Sequence, residues 1–166
     1  MPNQLHLRRA TEDDVPAITA IYNDAVLKTT ATFDLEEQSV ESRLAWFRNR
    51  TADFPVAVAE AAGGVVAYAS LSRWSDKEAY QITAEFSLYV EASSRGHGIG
   101  RALAEYILHE AEKTGLYTVI SRVTAGNALS VHLHQRLGFT EIGVMRRCGR
   151  KFGEILDVVF FEKVLK

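Results

Sequence analysis

The chain has 166 residues, 47% of them hydrophobic, which is enough for one domain with a core of its own and too few for two. A formal net charge of −2 argues against nucleic acid or an anionic membrane surface as partner and leaves small molecules. The single cysteine, Cys148, excludes an internal disulfide and fits a reducing compartment, so a cytoplasmic protein is expected.

The opening MPNQLHLRRATEDD has no apolar core for a signal peptide, and no stretch reaches the length of a membrane span. Neither repeat nor linker divides the chain, which reads as a single domain over residues 1–166. LHLRRA alternates as a strand, and Thr11 with Asp14 three residues later caps a helix running to about Leu27. TTATFDLEE is a loop, VESRLAWFRNR a second helix, and VAVAE and VVAYASLS the arms of a hairpin turning at Ala62-Gly63-Gly64. ITAEFSLYV is the next strand. After RGHGIG, a helix places Ile99, Leu103, Tyr106 and Ile107 on one face and ends at Gly115. TVISRVT, the helix NALSVHLHQRL stopped by Gly138, and the strands FTEIGVMRRCG and EILDVVFFEKVL complete the order β-α-α-β-β-β-α-β-α-β-β. This alternation predicts an α/β (α+β) domain, a mixed sheet with helices on both faces.

RGHGIG puts three glycines into six residues between a strand and a helix. It is not the loop of a nucleotide hydrolase, because Gly100 is followed by Arg101-Ala102 instead of Lys-Ser/Thr. Nor is it a dinucleotide fingerprint, whose third glycine would stand where Arg101 stands. What it retains is the physics of both: free amides at a helix N-terminus, glycines that admit a phosphate, and the cations Arg95 and Arg101. A tight turn with close packing is the plainer alternative. Further on, Asn127, Ser130 and His134 share one helical face, with Leu129, Leu133 and Leu137 on another; such a polar face can also be merely solvated.

Arg95-x-x-Gly98-x-Gly100 after a strand, followed by Asn127 to His134 and LGF, resembles the GCN5-related N-acetyltransferase (GNAT) family. IYNDAV, TATFD, AEFSLYV, RGHGIG, NALSVHLHQRLGF and GRKFGEILDV are similar in particular to its phosphinothricin and methionine sulfoximine N-acetyltransferases, over nearly the whole chain. The resemblance implies a mostly antiparallel sheet splayed at an acetyl-CoA site. It implies that Gly96, His97, Gly98, Ile99, Gly100 and Arg101, with Arg95, hold the diphosphate, that Leu88, Tyr89 and Val90 pair with the pantetheine arm, and that Asn127, with Ser130 on the same face, flanks the arm. No metal is implied.

An amine attacking a thioester must lose a proton, and the departing thiolate gains from one. Position by position, Glu85 matches the base of the resembling subfamily, acting directly or through a water; a strand carboxylate in a salt bridge is the alternative. His134 stands where that subfamily has a histidine, either as proton donor or as a hydrogen-bonding group. The backbone N–H of Leu88 or Tyr89 would polarise the thioester carbonyl.

Arg73-Trp74-Ser75-Asp76-Lys77 offers cations and an aromatic wall to an amino acid's carboxylate, or is simply a solvated loop. The resemblance adds Glu85, Phe86 and Ser87, with Phe33 as a wall, to the substrate contacts. The expected activity is direct transfer in a ternary complex to the α-amino group of methionine sulfoximine, methionine sulfone or phosphinothricin, with Cys148 lying away from the cleft. The alternatives are an acetyl-CoA sensor without turnover, which would need the phosphate cradle but not Glu85 and His134, and an acetyltransferase for polyamines or protein N-termini. The resemblance further implies a homodimer.

Overall fold

The computed structural model describes residues 5–166 and contains seven strands and four helices. In chain order they are β1 (His6–Arg9), α1 (Val15–Lys28), α2 (Val40–Arg48), β2 (Val56–Ala61), β3 (Gly64–Arg73), β4 (Thr83–Val90), α3 (Ile99–Glu112), β5 (Thr118–Thr124), α4 (Ala128–Arg136), β6 (Thr140–Lys151) and β7 (Glu154–Val164). The order is the one the sequence predicts. Thr11 and Asp14 form the expected capping box, although a short 3-10 turn at Glu12–Asp14 precedes α1. The hairpin turns on Ala62 (φ 53°) and Gly63 (φ 83°), the two successive positive φ values that match a tight turn to the twist of its strands.

The sheet runs β1-β2-β3-β4-β5-β7-β6. Every pairing is antiparallel except β4 with β5. That parallel ladder covers only Thr83–Glu85 against Thr118–Ile120, while β4 stays paired with β3 as far as Val90 and β5 with β7 as far as Thr124. Beyond Glu85 and Ile120 the sheet is therefore split, with a backbone edge of each strand facing the gap.

Strand alternation decides what lies on each side. Ala67, Ala69, Leu71, Ala84 and Phe86 pack with Leu103, Ala104, Ile107, Leu108 and Ala111 of α3 into the main core. On the opposite face Tyr68, Val56 and Val58 pack with Ile18, Tyr22 and Val26 of α1, flanked by Trp46 and Phe47 of α2. Leu133 of α4 and Leu137 at its C-terminal cap join the main core, but Leu129 is 84% exposed, so the apolar stripe expected on that helix is shorter than its spacing suggests. Among the described residues no helix is long and apolar enough to cross a membrane.

Candidate active site

Two cavities meet at the split. The larger, about 900 Å³, is lined by β4 from Phe86 to Val90, by Arg95, Gly96, Gly98, Ile99, Gly100 and Arg101, by β5 from Ser121, and by Asn127, Ser130 and His134. The smaller, about 480 Å³, lies on the α1/α2 face and is lined by the alternate residues Tyr68, Ser70 and Ser72 of β3 and Glu85, Ser87 and Tyr89 of β4. Ala31, Ser87, Tyr89, Arg122 and Thr124 line both.

The glycine loop is shaped to receive an anion. Gly96 and Gly98 take φ of 81° and 77°, a region where side chains are strained. The first bond of α3 runs from the Ala102 N–H to the Gly98 carbonyl, so the amides just ahead of it are the donors a helix start leaves without helical partners. A Cβ on Gly100 would come within 3.2 Å of Val90 Cγ2, which is why the helix start can lie so close to β4. Arg95 folds back to donate from Nε to the Val90 carbonyl at 3.0 Å, and Arg101 pairs with Glu105 at 2.8 Å. His97 lies on the loop but outside the cavity lining. The cradle and the split edge of β4 fit a long thiol cofactor with a phosphate-rich end.

Asn127 caps α4, its Oδ1 accepting from the Ser130 N–H at 3.2 Å. His134 does not sit on a solvated polar face: it is 4% exposed and packs among Phe86, Phe139 and Phe161. Burial pushes its pKa below the ordinary histidine value, opposed by its bond to Ser130. Nδ1 lies 2.7 Å from the Ser130 carbonyl, which only accepts, so Nδ1 carries the proton and Nε2 faces the Ser121 hydroxyl at 2.7 Å. Ser121, which no sequence motif marks, is thus the group between His134 and the gap in the sheet.

Glu85 sits at the last ladder position before the split, and Arg122 grips it with Nε at 2.6 Å and Nη2 at 2.9 Å. The carboxylate is both a cavity wall and half of an ion pair. No motif marks Arg122; a charged residue inside the strand TVISRVT is the available signal.

Of the expected acceptor contacts, Phe33, Glu85 and Ser87 line the smaller cavity, and Phe33 packs over Gly149. Phe86 points to the other face and is 2% exposed in the main core, as strand alternation requires. Arg73, Trp74, Ser75, Asp76 and Lys77 lie outside both linings; Arg73, Asp76 and Lys77 are exposed, and Trp74 stands edge-on to Phe160 at 6.2 Å. Cys148 lines the smaller cavity and is exposed, correcting the expectation that it lies away from the cleft: β6 folds back against the site.

The smaller cavity also has an aromatic floor. Tyr89 stacks on Tyr68 at 5.3 Å and meets Tyr22 edge-on at 5.3 Å. Burial, with Asp34 hydrogen-bonded to its hydroxyl, pushes the Tyr22 pKa up to about 12, and burial raises Tyr68 and Tyr89 further. These phenols are neutral walls at ordinary pH.

A model of the acetyltransferase (GNAT) family matches residues 18–139. The L-methionine sulfoximine/L-methionine sulfone acetyltransferase of Pseudomonas aeruginosa is 40% identical over 94% of this chain and 92% of its own. The crystal structure of a ribosomal-protein-alanine N-acetyltransferase from Brucella melitensis superposes with a TM-score of 0.92 at 42% identity over 96% and 99% of the two chains. Another acetyltransferase, yncA from Salmonella typhimurium, solved with its cofactor acetyl-CoA, gives a TM-score of 0.95 at 37% identity over 99% and 95%. With the glycine cradle at the mouth of a split sheet, these matches show that the chain belongs to the acetyltransferase (GNAT) family and is an N-acetyltransferase.

Proposed function

We propose that the protein transfers the acetyl group of acetyl-CoA directly to the α-amino group of a small amino-acid analogue such as methionine sulfoximine, methionine sulfone or phosphinothricin. The observation that carries this reading is the meeting of the two cavities at β4, one lined by the glycine loop and the open strand edge and the other large enough to admit an amino acid. Acetyl-CoA supplies the activated thioester. The amides of Gly96 to Arg101 bind its diphosphate, and the gap-facing edge of β4 from Leu88 to Val90 receives its arm, with Asn127 and Ser130 on the other side. The N–H of Leu88 or Tyr89 polarises the carbonyl under attack.

Glu85, at the junction, takes the proton that the amine must lose, directly or through a water. Arg122 orients its carboxylate. His134 acts on the thiol side through Ser121, whose hydroxyl its Nε2 reaches, either passing on a proton that Nε2 first takes up or holding that hydroxyl in place to donate to the departing thiolate. Phe33 walls the acceptor, while the cations of the Arg73–Lys77 loop, outside both linings, attract an anionic acceptor only at long range. The exposed thiol of Cys148 fits a reducing compartment, and we place the reaction in the cytoplasm. The outermost strand β6 exposes Ile142, Val144 and Met145, a surface suited to a second copy in a homodimer.

A second reading, acetylation of a protein N-terminus, has the resemblance to the Brucella enzyme in its favour. Thiol release from acetyl-CoA with methionine sulfoximine, methionine sulfone, phosphinothricin, spermidine and an alanine-ended peptide separates the readings. Turnover confined to the analogues supports the first, and turnover confined to the peptide or the polyamine replaces it.

A further inference from the structure

Arg43, on α2, is 9% exposed and lines the smaller cavity. Its Nε has no hydrogen-bond partner and is the only buried side-chain nitrogen or oxygen left so among the described residues. Its Nη2 has one protein bond, to the Tyr68 hydroxyl at 3.3 Å. Aromatic faces supply the rest of its surroundings: its Cζ lies 3.9 Å from the Trp46 ring centre, 4.6 Å from Tyr22 and 5.8 Å from Tyr68.

A buried guanidinium ordinarily has a carboxylate beside it, because losing water without gaining an anion is costly. Among the described residues the arginine ion pairs involve Arg8, Arg9, Arg48, Arg101 and Arg122, and none involves Arg43. The two acids on the cavity wall are engaged elsewhere, Glu85 by Arg122 and Asp34 by the Tyr22 hydroxyl. A second cation deepens the imbalance: Arg50 lies 4.6 Å from the same Trp46 ring and is bonded to the neutral acceptors Phe54 and Leu71 carbonyl and Ser72 hydroxyl. Burial, and then the charge of Arg43, lowers the Arg50 pKa to about 10.

We propose that Arg43 holds the α-carboxylate of the acceptor at the floor of the smaller cavity, so that the anion missing from the protein arrives with the substrate. The assignment rests on the acetyltransfer reading above. It gives the anchoring role to Arg43 at the bottom of the cavity and leaves Arg73 and Lys77, outside the lining, with long-range attraction. An amino acid held there by its carboxylate occupies the same cavity that Glu85 and Ser87 of β4 line. A polyamine has no group for this place. Lysine is a poor substitute, since an ammonium lacks the planar fork that meets a carboxylate and stacks on rings.

The test compares L-methionine sulfone with its carboxamide, which keeps the amine and removes the charge, in the wild type, Arg43→Gln and Arg43→Lys, with acetyl-CoA affinity measured by calorimetry as a check of folding. The wild type is expected to prefer the acid by about a hundredfold in kcat/KM. Arg43→Gln should lose about that factor with the acid, mostly through KM, while changing the carboxamide rate less than about threefold. Arg43→Lys should fall between. Equal losses on acid and carboxamide, or full activity of Arg43→Gln on the acid, would overturn the assignment. If Arg43→Gln does not fold, a wild type that uses both compounds equally well overturns it, and a strong preference for the acid that Arg43→Lys reduces supports it. Wild-type enzyme that binds acetyl-CoA but releases thiol with neither compound overturns the acceptor reading itself, and the assignment with it.

Discussion

Glu85, on the last rung of the parallel β4/β5 ladder, forms a two-point ion pair at 2.6 and 2.9 Å with Arg122, two residues beyond its rung partner Ile120. It sits at the point where the sheet opens and the two cavities join. A carboxylate fixed there is aimed, and its geometry does not have to be assembled at each turnover. Replacing Glu85 with Gln keeps the shape and removes the proposed proton acceptor. The expected result is a fall in kcat of about a hundredfold or more with acetyl-CoA affinity unchanged, read from steady-state rates and calorimetry. Arg122→Gln should lower kcat less, since it frees the carboxylate without removing it.

The glycine loop makes a separable prediction. Gly98→Ala forces a side chain into φ 77° at the start of α3, at a strain of about 1–2 kcal/mol. Gly100→Ala places a methyl 3.2 Å from Val90 Cγ2 and pushes the helix start away from β4. Both variants should weaken acetyl-CoA binding about tenfold in calorimetry. Neither alters the acceptor cavity, so at saturating acetyl-CoA the acceptor KM should hardly move.

Phe33 presses on Gly149 so closely that a Cβ there would overlap the ring. Gly149→Ala must therefore displace the wall that the loop between α1 and α2 contributes to the smaller cavity. The acceptor KM should rise several-fold with acetyl-CoA affinity unchanged, and the loss should differ between methionine sulfone and a bulkier side chain.

His134 links the site to stability through pH. Burial lowers its pKa in the folded protein, so around and below the ordinary value of about 6.5 the unfolded chain binds more protons than the native one. Its neutral, buried state contributes stability in full above that pH. The contribution is lost as pH falls through 6.5 toward the depressed folded value. Urea midpoints measured from pH 8 to pH 5 should decline for the wild type, and His134→Asn should remove that share of the slope while lowering the midpoint at pH 8.

Sequence pattern carried the architecture well because alternation and capping are local. The Thr11–Asp14 box, the Ala62-Gly63 turn and the period-two strands β3 and β4 all act within a few residues. The glycine loop is legible for the same reason, since RGHGIG holds the chemistry of the proposed phosphate cradle in one stretch. What escapes are groups defined by juxtaposition. Arg122 matters because it stands two residues past Ile120, the ladder partner of Glu85, and reaches back to that carboxylate, Ser121 because α4 lays His134 against it, and Arg43 because α2 tucks it among rings from α1 and β3. The place of Cys148 on the cavity wall has no local signal, because it depends on β6 lying against the cavity. The cationic loop at Arg73 to Lys77 carried the right chemistry for a carboxylate, but it lies outside both linings.

The most direct test of transfer between two joined cavities is the initial-velocity pattern for thiol release, with acetyl-CoA and L-methionine sulfone varied together. The account predicts intersecting reciprocal lines, no thiol release until both are present, and no acetyl group on the protein by mass spectrometry. Parallel lines with acetylated Cys148, or no release at any concentration of the pair, would contradict it.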